Sequence, residues 1–176
     1  NVISGNNAVG VALSGSGTQN NVVQGNWIGT SASGSADLGN TSFGVLISGA
    51  VNNVVGGTVS GASNVISGND NMGVVIAGAT ATGNRVEGNR IGTDAGGTVD
   101  LGNSLHGVQI SGGANGNTIG GAASGAGNLI SGNDRLGVLI SGSGTTGNVV
   151  QGNRVGTRLD GNAALGNSLH GVQISS

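Results

Sequence analysis

Carboxylates are the side chains of this sequence with the clearest capacity for chemistry. Grouped acidic residues perform acid–base catalysis or bind calcium through their oxygens. The best candidates lie in three segments that recur along the chain, at residues 31–37, 94–100 and 158–164. Their candidate ligand residues are Asp37, Asp94, Asp100, Arg158 and Asp160. Asp94 and Asp100 share one segment and could hold a weakly bound Ca²⁺ ion, although solvated turn side chains are the simpler interpretation.

The remaining titratable side chains form no visible catalytic cluster. No two acidic residues are adjacent in the sequence. His106 and His170 each precede a glycine. Equivalent positions hold Val9, Phe43, Met72 and Leu136. A role at a corner of the fold is therefore favoured over catalysis.

Arg85 and Glu87 are expected to form a surface ion pair of little energetic weight. We predict no catalytic residues, no cofactor and no further metal site.

A long internal repeat determines which elements position these side chains. The hexapeptide Asn-Val-Ile-Ser-Gly-Asn at 1–6 returns at 64–69 and, with one change, at 128–133. A Gly-Val-x-(Ile/Leu) motif begins at Gly10, Gly44, Gly73, Gly107, Gly137 and Gly171. Its spacing alternates between 34 and 29–30 residues. This pattern indicates a solenoid in which long and short coils alternate.

Each coil contains three short segments in which aliphatic and variable residues alternate, as in strands with one buried face. In one Gly-Val-x-Ile segment, Val45 and Ile47 are the aliphatic positions and Leu46 is the variable one. The other two segments begin with asparagine and carry Val or Ile two residues later. No segment has the period and length of a helix, so strands of successive coils must pair in parallel. We predict an all-β fold, a right-handed parallel β-helix of about five coils that forms a single domain over residues 1–176.

Asparagine recurs at the corners between these segments. Two columns precede strands and one follows the third strand: Asn1, Asn26, Asn64, Asn89, Asn128 and Asn153; Asn21, Asn53, Asn84, Asn117 and Asn148; and Asn6, Asn40, Asn69, Asn103, Asn133 and Asn167. Asparagine tolerates left-handed backbone at corners, and stacked amides can bond to one another as in cross-β structures. We predict three structural asparagine ladders and regard a sugar-binding polar row as the less favoured alternative.

The composition excludes several classes of protein and of partner. There are 40 glycines and only 7% charged residues, but no Gly-X-Y period, and ordered Val and Ile clusters argue against disorder. The net charge of −2 is too small to indicate a nucleic-acid partner. No stretch approaches the roughly 18 apolar residues that membrane insertion requires.

The asparagine-punctuated strands and the Gly-Val-x-Ile motif resemble the parallel β-helix repeats of the pectin-lyase-like superfamily. They look most like the Gly- and Asn-rich repeats of large bacterial secreted or surface-displayed proteins, so the resemblance implies an extracellular or cell-surface location. The superfamily includes lyases, hydrolases, adhesins and passive spacers. Its polygalacturonase-type enzymes carry an Asn-Thr-Asp motif, an Asp-Asp pair and a Gly-His-Gly element. Here only His106-Gly107 and His170-Gly171 match half of the last one.

We expect a non-catalytic structural module that partners with itself by head-to-tail stacking, as in a fibre, or by lateral packing. Both ends of the sequence look like interior coils, which favours a fragment, a designed consensus array or a stacking protomer. For lateral packing, an apolar strip is expected at Val2, Val65 and Leu129. One alternative is a polysaccharide-active enzyme or carbohydrate binder. Another is an ice-binding protein, for which the only regular threonines are Thr30, Thr93 and Thr157.

Overall fold

Short strands follow the aliphatic segments along the whole chain, and the computed structural model describes all residues from 1 to 176. The third strands of the coils are β1 (Val2–Ile3), β4 (Trp27–Ile28), β7 (Val65–Ile66), β10 (Arg90–Ile91), β13 (Leu129–Ile130) and β16 (Arg154–Val155). The first strands are β2 (Val11–Ser14), β5 (Val45–Ser48), β8 (Val74–Ala77), β11 (Val108–Ser111), β14 (Val138–Ser141) and β17 (Val172–Ser175). The second strands are β3 (Val22–Val23), β6 (Val54–Gly56), β9 (Arg85–Glu87), β12 (Thr118–Gly120) and β15 (Val149–Gln151).

Each strand pairs in parallel with its counterparts one coil away. The first and third strands each form a six-stranded sheet, and the second strands form a five-stranded sheet. The register matches equivalent residues, as in Val45 with Val74 and Ile47 with Ile76. The predicted right-handed parallel β-helix of about five coils is therefore confirmed. No helix is present that is long and apolar enough to cross a membrane.

The core is a stack of aliphatic side chains enclosed by the three sheets. Each interior coil contributes two residues from its first strand and one from each other strand, as with Val74, Ile76, Val86 and Ile91, all fully buried. These are the positions that the alternating pattern assigned to the inner face. Burial of such side chains stabilises the fold by roughly 1.5–3 kcal/mol each, so the core does not depend on the chain's few aromatic residues.

Asparagine ladders run along the corners as predicted. The side-chain Nδ2 of every ladder asparagine except the last in each column donates to Oδ1 of its counterpart in the next coil, at 2.7–3.1 Å. Asn84 shows the full pattern: Oδ1 accepts from N and Nδ2 of Asn53, and Nδ2 donates to Asn117 Oδ1 and Ala50 O. All four hydrogen-bonding positions of this fully buried amide are used.

One corner column requires left-handed backbone immediately before a ladder asparagine. Gly83, with φ +68°, occupies this position before Asn84, and Asn52, with φ +55°, occupies it before Asn53. Glycine and asparagine are the residues that adopt this conformation at least cost. A Cβ at Gly83 would lie 2.1 Å from Asn52 Oδ1. A side chain at Gly83 would therefore require the Asn52 side chain to move.

The inserted segments of the long coils form hairpin loops, hereafter the long-coil loops: 31–37, 94–100 and 158–164. An antiparallel bridge closes each one, as between Thr93 and Asp100. Although these loops belong to alternate coils, they bond directly to one another. Ala95 N donates to Gly34 O at 2.9 Å, and Leu159 N donates to Gly97 O at 3.0 Å. The spacing of roughly 10 Å between equivalent residues two coils apart does not keep the loops separate.

This loop column covers part of the outer face of the third-strand sheet. Val65 is 5% exposed and Leu129 is 2% exposed, although both point away from the core. A Cβ at Gly97 would lie 2.8 Å from Leu129 Cδ2, which shows how closely the loop packs on it. The predicted exposed strip that included Val65 and Leu129 is wrong for those two residues, because the loops cover them.

A second set of loops, the short-coil loops at 57–63 and 121–127, was not predicted. Each joins the second strand of a short coil to the third, where long coils have a tight turn. Ala62 and Ala126 bury their methyl groups within these loops. Gly88 N donates to Ala126 O at 3.0 Å, which ties one loop to the neighbouring long coil. The two sets of loops therefore lie at opposite ends of the third strands.

Candidate functional site

Asp94 is the most fully engaged of the candidate ligand residues. Its carboxylate accepts backbone hydrogen bonds from Thr98 N at 2.7 Å, Val99 N at 2.8 Å and Gly96 N at 3.1 Å. Burial acts to raise the pKa of Asp94, but these three donors and the charge of Arg90 lower it below its usual range. The carboxylate therefore shapes its own hairpin loop and points its oxygens at loop amides.

Asp37 and Asp160 also bond to backbone within their own turns. Asp37 Oδ1 accepts from Gly39 N at 2.9 Å, and Asp160 Oδ1 accepts from Asn162 N at 3.0 Å. Arg158 is exposed and lies beside Asp160 at an open depression of about 350 Å³, without an ion-pair partner within 4.0 Å. These contacts are typical of polar turn residues.

Asp100 lies next to Asp134 of the following coil, since Oδ1 of each lies within 3.3 Å of the point a Cβ of Gly102 would occupy. Asp100 Oδ1 accepts from Gly102 N at 2.9 Å. Burial raises the pKa of Asp100 above its usual value against the effect of that Gly102 donor, and the charge of Asp134 raises it further. No group of three or more acidic or histidine side chains converges here, and a weakly bound Ca²⁺ ion between Asp94 and Asp100 stays a prediction.

Sequence reasoning missed that this carboxylate pair is repeated. Asp37 and Asp70 form the equivalent pair one repeat earlier, since Oδ1 of each lies within 3.4 Å of the point a Cβ of Gly39 would occupy. The signal was present in the ladders. An Asp-Leu-Gly-Asn segment in a long coil is followed by Asn-Asp in the short coil, and pairing of the two ladder asparagines, Asn40 and Asn69, brings the acids together.

A cleft lies between the two sets of loops, over the outer face of the third-strand sheet. Its floor is formed by paired residues of successive third strands: Trp27, Val65, Arg90, Leu129 and Arg154. One part, of about 340 Å³, is lined by both short-coil loops, both arginines and Leu159. A neighbouring part, of about 280 Å³, reaches Trp27 and Ala95. No acidic side chain lines either part.

The two cleft arginines differ from the third-sheet positions around them in being charged and unpaired. Arg90 donates from Nη1 to Ser63 Oγ at 3.3 Å. The structure's one ion pair joins Arg85 to Glu87 at 3.6 Å, as predicted, so neither Arg90 nor Arg154 has a carboxylate within 4.0 Å. Unpaired guanidinium groups with free donors are the side chains best suited to bind oxyanions.

His106 serves the corner between the third and first strands. Its Nδ1 accepts a hydrogen bond from Leu136 N at 3.3 Å, and the residue is buried, whereas His170 is exposed. Burial lowers the pKa of His106 below its usual value, and the charge of Arg135 lowers it further. An imidazole nitrogen can accept this bond only when unprotonated, so His106 acts here as a neutral structural group.

Comparisons with protein-family models, with curated proteins and with solved structures found no match. The architecture itself is established by the sheets and the hydrogen bonds: a parallel β-solenoid of about five turns with asparagine ladders. Function has to be argued from the side chains, because one fold carries many activities.

Proposed function

We propose that the chain is a non-catalytic structural module, a rigid β-helical segment of a secreted or cell-surface protein. Its role is to act as a rigid spacer of fixed length along the helix axis. At about 4.8 Å per coil, five coils extend the protein it belongs to by roughly 24 Å. Placement in the pectin-lyase-like superfamily, and with it the extracellular location, is part of this proposal and is supported by the resemblance of the repeats.

The continuity of the asparagine ladders carries the proposal. Each interior rung, as at Asn84 and Asn103, is fully buried and bonds to the rung on either side. Buried polar groups that are completely satisfied rigidify a structure and specify one arrangement of it. A chain that repeats this device at three corners is organised around axial stiffness.

The state of the acidic residues supports the same conclusion. The carboxylates of Asp37, Asp94 and Asp160 accept hydrogen bonds from backbone amides of their own turns. The loops that contain them also bond to one another. A general acid or base needs a proton-transfer atom within reach of substrate. These carboxylates instead stabilise the long-coil loops, which cover part of the third-strand sheet.

Self-association through the coil ends extends the proposal. Because every coil presents the next with the same three strands and three asparagines, copies of the module can join by the contacts that already join coils. The partner is then a second copy of the chain, and the product is a fibre. Electron microscopy at increasing concentration would show lengthening rods; monodisperse short rods at every concentration would contradict this part of the proposal.

A turnover screen tests the central part. The folded chain is incubated with pectin, polygalacturonate and alginate, with and without calcium, and released ends are measured. We expect no turnover. Turnover that disappears in Asp100→Asn or Asp134→Asn, but persists in the exposed control Asp160→Asn, would overturn the proposal and establish the enzyme alternative.

The ice-binding alternative has less support, because two of its three candidate threonines are withdrawn from the surface. Thr30 and Thr93 are fully buried and donate from Oγ1 to neighbouring backbone carbonyls. They present no threonine row to solvent. A thermal-hysteresis measurement remains the direct test, and a positive result would point to a different face of the molecule.

A further inference from the structure

We propose that the cleft over the third-strand sheet binds a tetrahedral oxyanion, the phosphate or sulfate group of a ligand, between Arg90 and Arg154. The site lies on the outer face of the third-strand sheet, which the long-coil loops partly cover. Binding there would be a function beyond the structural role of the module. Three features of the cleft support such a ligand: two arginines that line one cavity, the absence of any acid in that lining, and the polar character of its walls.

The spacing of the two arginines suits one shared anion. Arg90 and Arg154 lie on β10 and β16, and Leu129 of β13 is paired between them. Two steps across a parallel sheet separate their backbones by roughly 9.6 Å. Both side chains line the same cavity of about 340 Å³, so one ligand in that cavity can contact both. The buried leucine keeps the floor between them dry and close-packed.

The positive charge of the cleft is not neutralised by its own residues. Asp94 is the acid whose charge interacts with Arg90, yet its oxygens accept bonds from loop amides. It does not line the cleft. Nη1 of Arg90 is held by Ser63 Oγ, which fixes the side chain and places a hydroxyl beside it. A guanidinium that is held in place loses less freedom when it binds a ligand.

The walls contribute hydrogen-bond donors. Gly61 and Gly125, one in each short-coil loop, line the cleft, and their N–H groups have no acceptor within the chain. Both have positive φ, +83° and +80°, so they are held in turns that favour glycine. Backbone amides at glycine-rich turns are common donors to phosphate groups.

The number of donors favours a tetrahedral oxyanion over a carboxylate. Each guanidinium can bind two oxygens through its planar fork. Two forks that each take a pair of oxygens are better filled by the three or four oxygens of a tetrahedral group than by the two of a carboxylate. Phosphate and sulfate groups have enough, and they carry the charge in a compact form.

The test is a titration of the folded chain with inorganic phosphate and with inorganic sulfate, followed by calorimetry or by amide chemical shifts at constant ionic strength. We expect saturable binding, with affinity reduced on the order of tenfold in Arg90→Gln and in Arg154→Gln. Arg85→Gln is the matched control, because Arg85 lies on the neighbouring sheet and is paired with Glu87. Its affinity should equal that of the parent chain.

The unfolding midpoint of every variant is measured first, so that loss of binding is read only in folded protein. Sugar phosphates and sugar sulfates then form separate arms that distinguish the two sources of the group. No saturable binding, equal loss in Arg85→Gln, or equal affinity for acetate and galacturonate would each overturn the proposal. Preference for either tetrahedral anion, lost only in the two cleft variants, would support it.

Discussion

The inner and outer faces of the third strands follow different rules, although the two kinds of residue are neighbours in sequence. The inner positions are Ile or Val in every coil, from Ile3 to Val155. The outer positions, such as Trp27, Arg90 and Leu129, differ in size and charge. Inside, each residue must fit its own copies above and below. Outside, each residue fits a loop that is present only on alternate coils.

This difference separates what holds the protein together from what could give it specificity. Uniform columns are required where identical coils stack, because a change in one coil disturbs both neighbours. The outer face, which the long-coil loops partly cover, has no such constraint and carries the cleft with two unpaired arginines. Substitutions on the two faces should therefore differ strongly in their effect on stability.

The largest effect is expected at a ladder corner, from Asn84→Ala. Loss of this amide leaves Asn53 N, Asn53 Nδ2 and Ala50 O without their buried partners. Each unsatisfied buried group costs about 1–3 kcal/mol, so we expect a loss of about 4 kcal/mol in the free energy of unfolding, measured with urea. The exposed control Asn162→Ala should change it by less than about 0.5 kcal/mol. Equal effects would contradict the importance of the ladder.

The inner and outer faces can be compared directly at adjacent residues of β10. Ile91→Ala opens a cavity in the core and should cost about 3 kcal/mol. Arg90→Ala removes a partly buried, unpaired side chain from the outer face of the third-strand sheet and should cost less than about 1 kcal/mol. Urea unfolding of both variants gives the ratio. Comparable losses would show that the outer face is as tightly constrained as the core.

The contact between neighbouring long-coil loops can be disrupted at Gly97. Alanine there combines φ +68° with a Cβ placed 2.7 Å from Leu159 Cβ. We expect a loss of about 2 kcal/mol, from backbone strain and from displacement of the next loop. Gly5→Ala is the matched control, since Gly5 has φ +69° and nothing within 4 Å. It should show the strain alone, about 1 kcal/mol. Identical losses would mean that the loops do not depend on each other.

The smallest effect is the dependence of stability on pH at His106. Its pKa is lower in the folded chain than the usual 6.5, so the unfolded chain binds the proton more readily. Stability is then fully present above pH 6.5 and decreases as pH falls through that value. We expect this part of the pH profile to be absent in His106→Leu and retained in His170→Leu. A profile that is unchanged in His106→Leu would contradict the role of its Nδ1 as an acceptor.

The core and the asparagine ladders could be predicted from the sequence because their residues repeat at fixed positions in every coil. Val74, Ile76 and the ladder asparagines recur at fixed positions, and a period of two assigns their faces without any knowledge of the loops. The coil count and the sheet registers follow from the same alignment.

The outer architecture could not be predicted in this way. Nothing in the loop composition shows that Ala95 bonds to Gly34 across a whole coil, or that a loop covers Leu129. The cleft arises from two sets of loops that belong to different coils, so its lining is distributed over the sequence. Among the candidate acids, Asp100 interacts with Asp134, which only the ladder register could have indicated.

A double-mutant cycle on adjacent ladder rungs measures whether the asparagines stabilise the fold as a connected ladder. Asn84 N and Nδ2 both donate to Asn117 Oδ1 at 3.0 Å. The free energies of unfolding of Asn84→Ala, Asn117→Ala and the double variant should give a coupling on the order of 1–2 kcal/mol, because the second truncation removes contacts already lost. Losses that add to within about 0.5 kcal/mol would contradict the account, since the asparagines would then act as independent corner residues and not as a ladder.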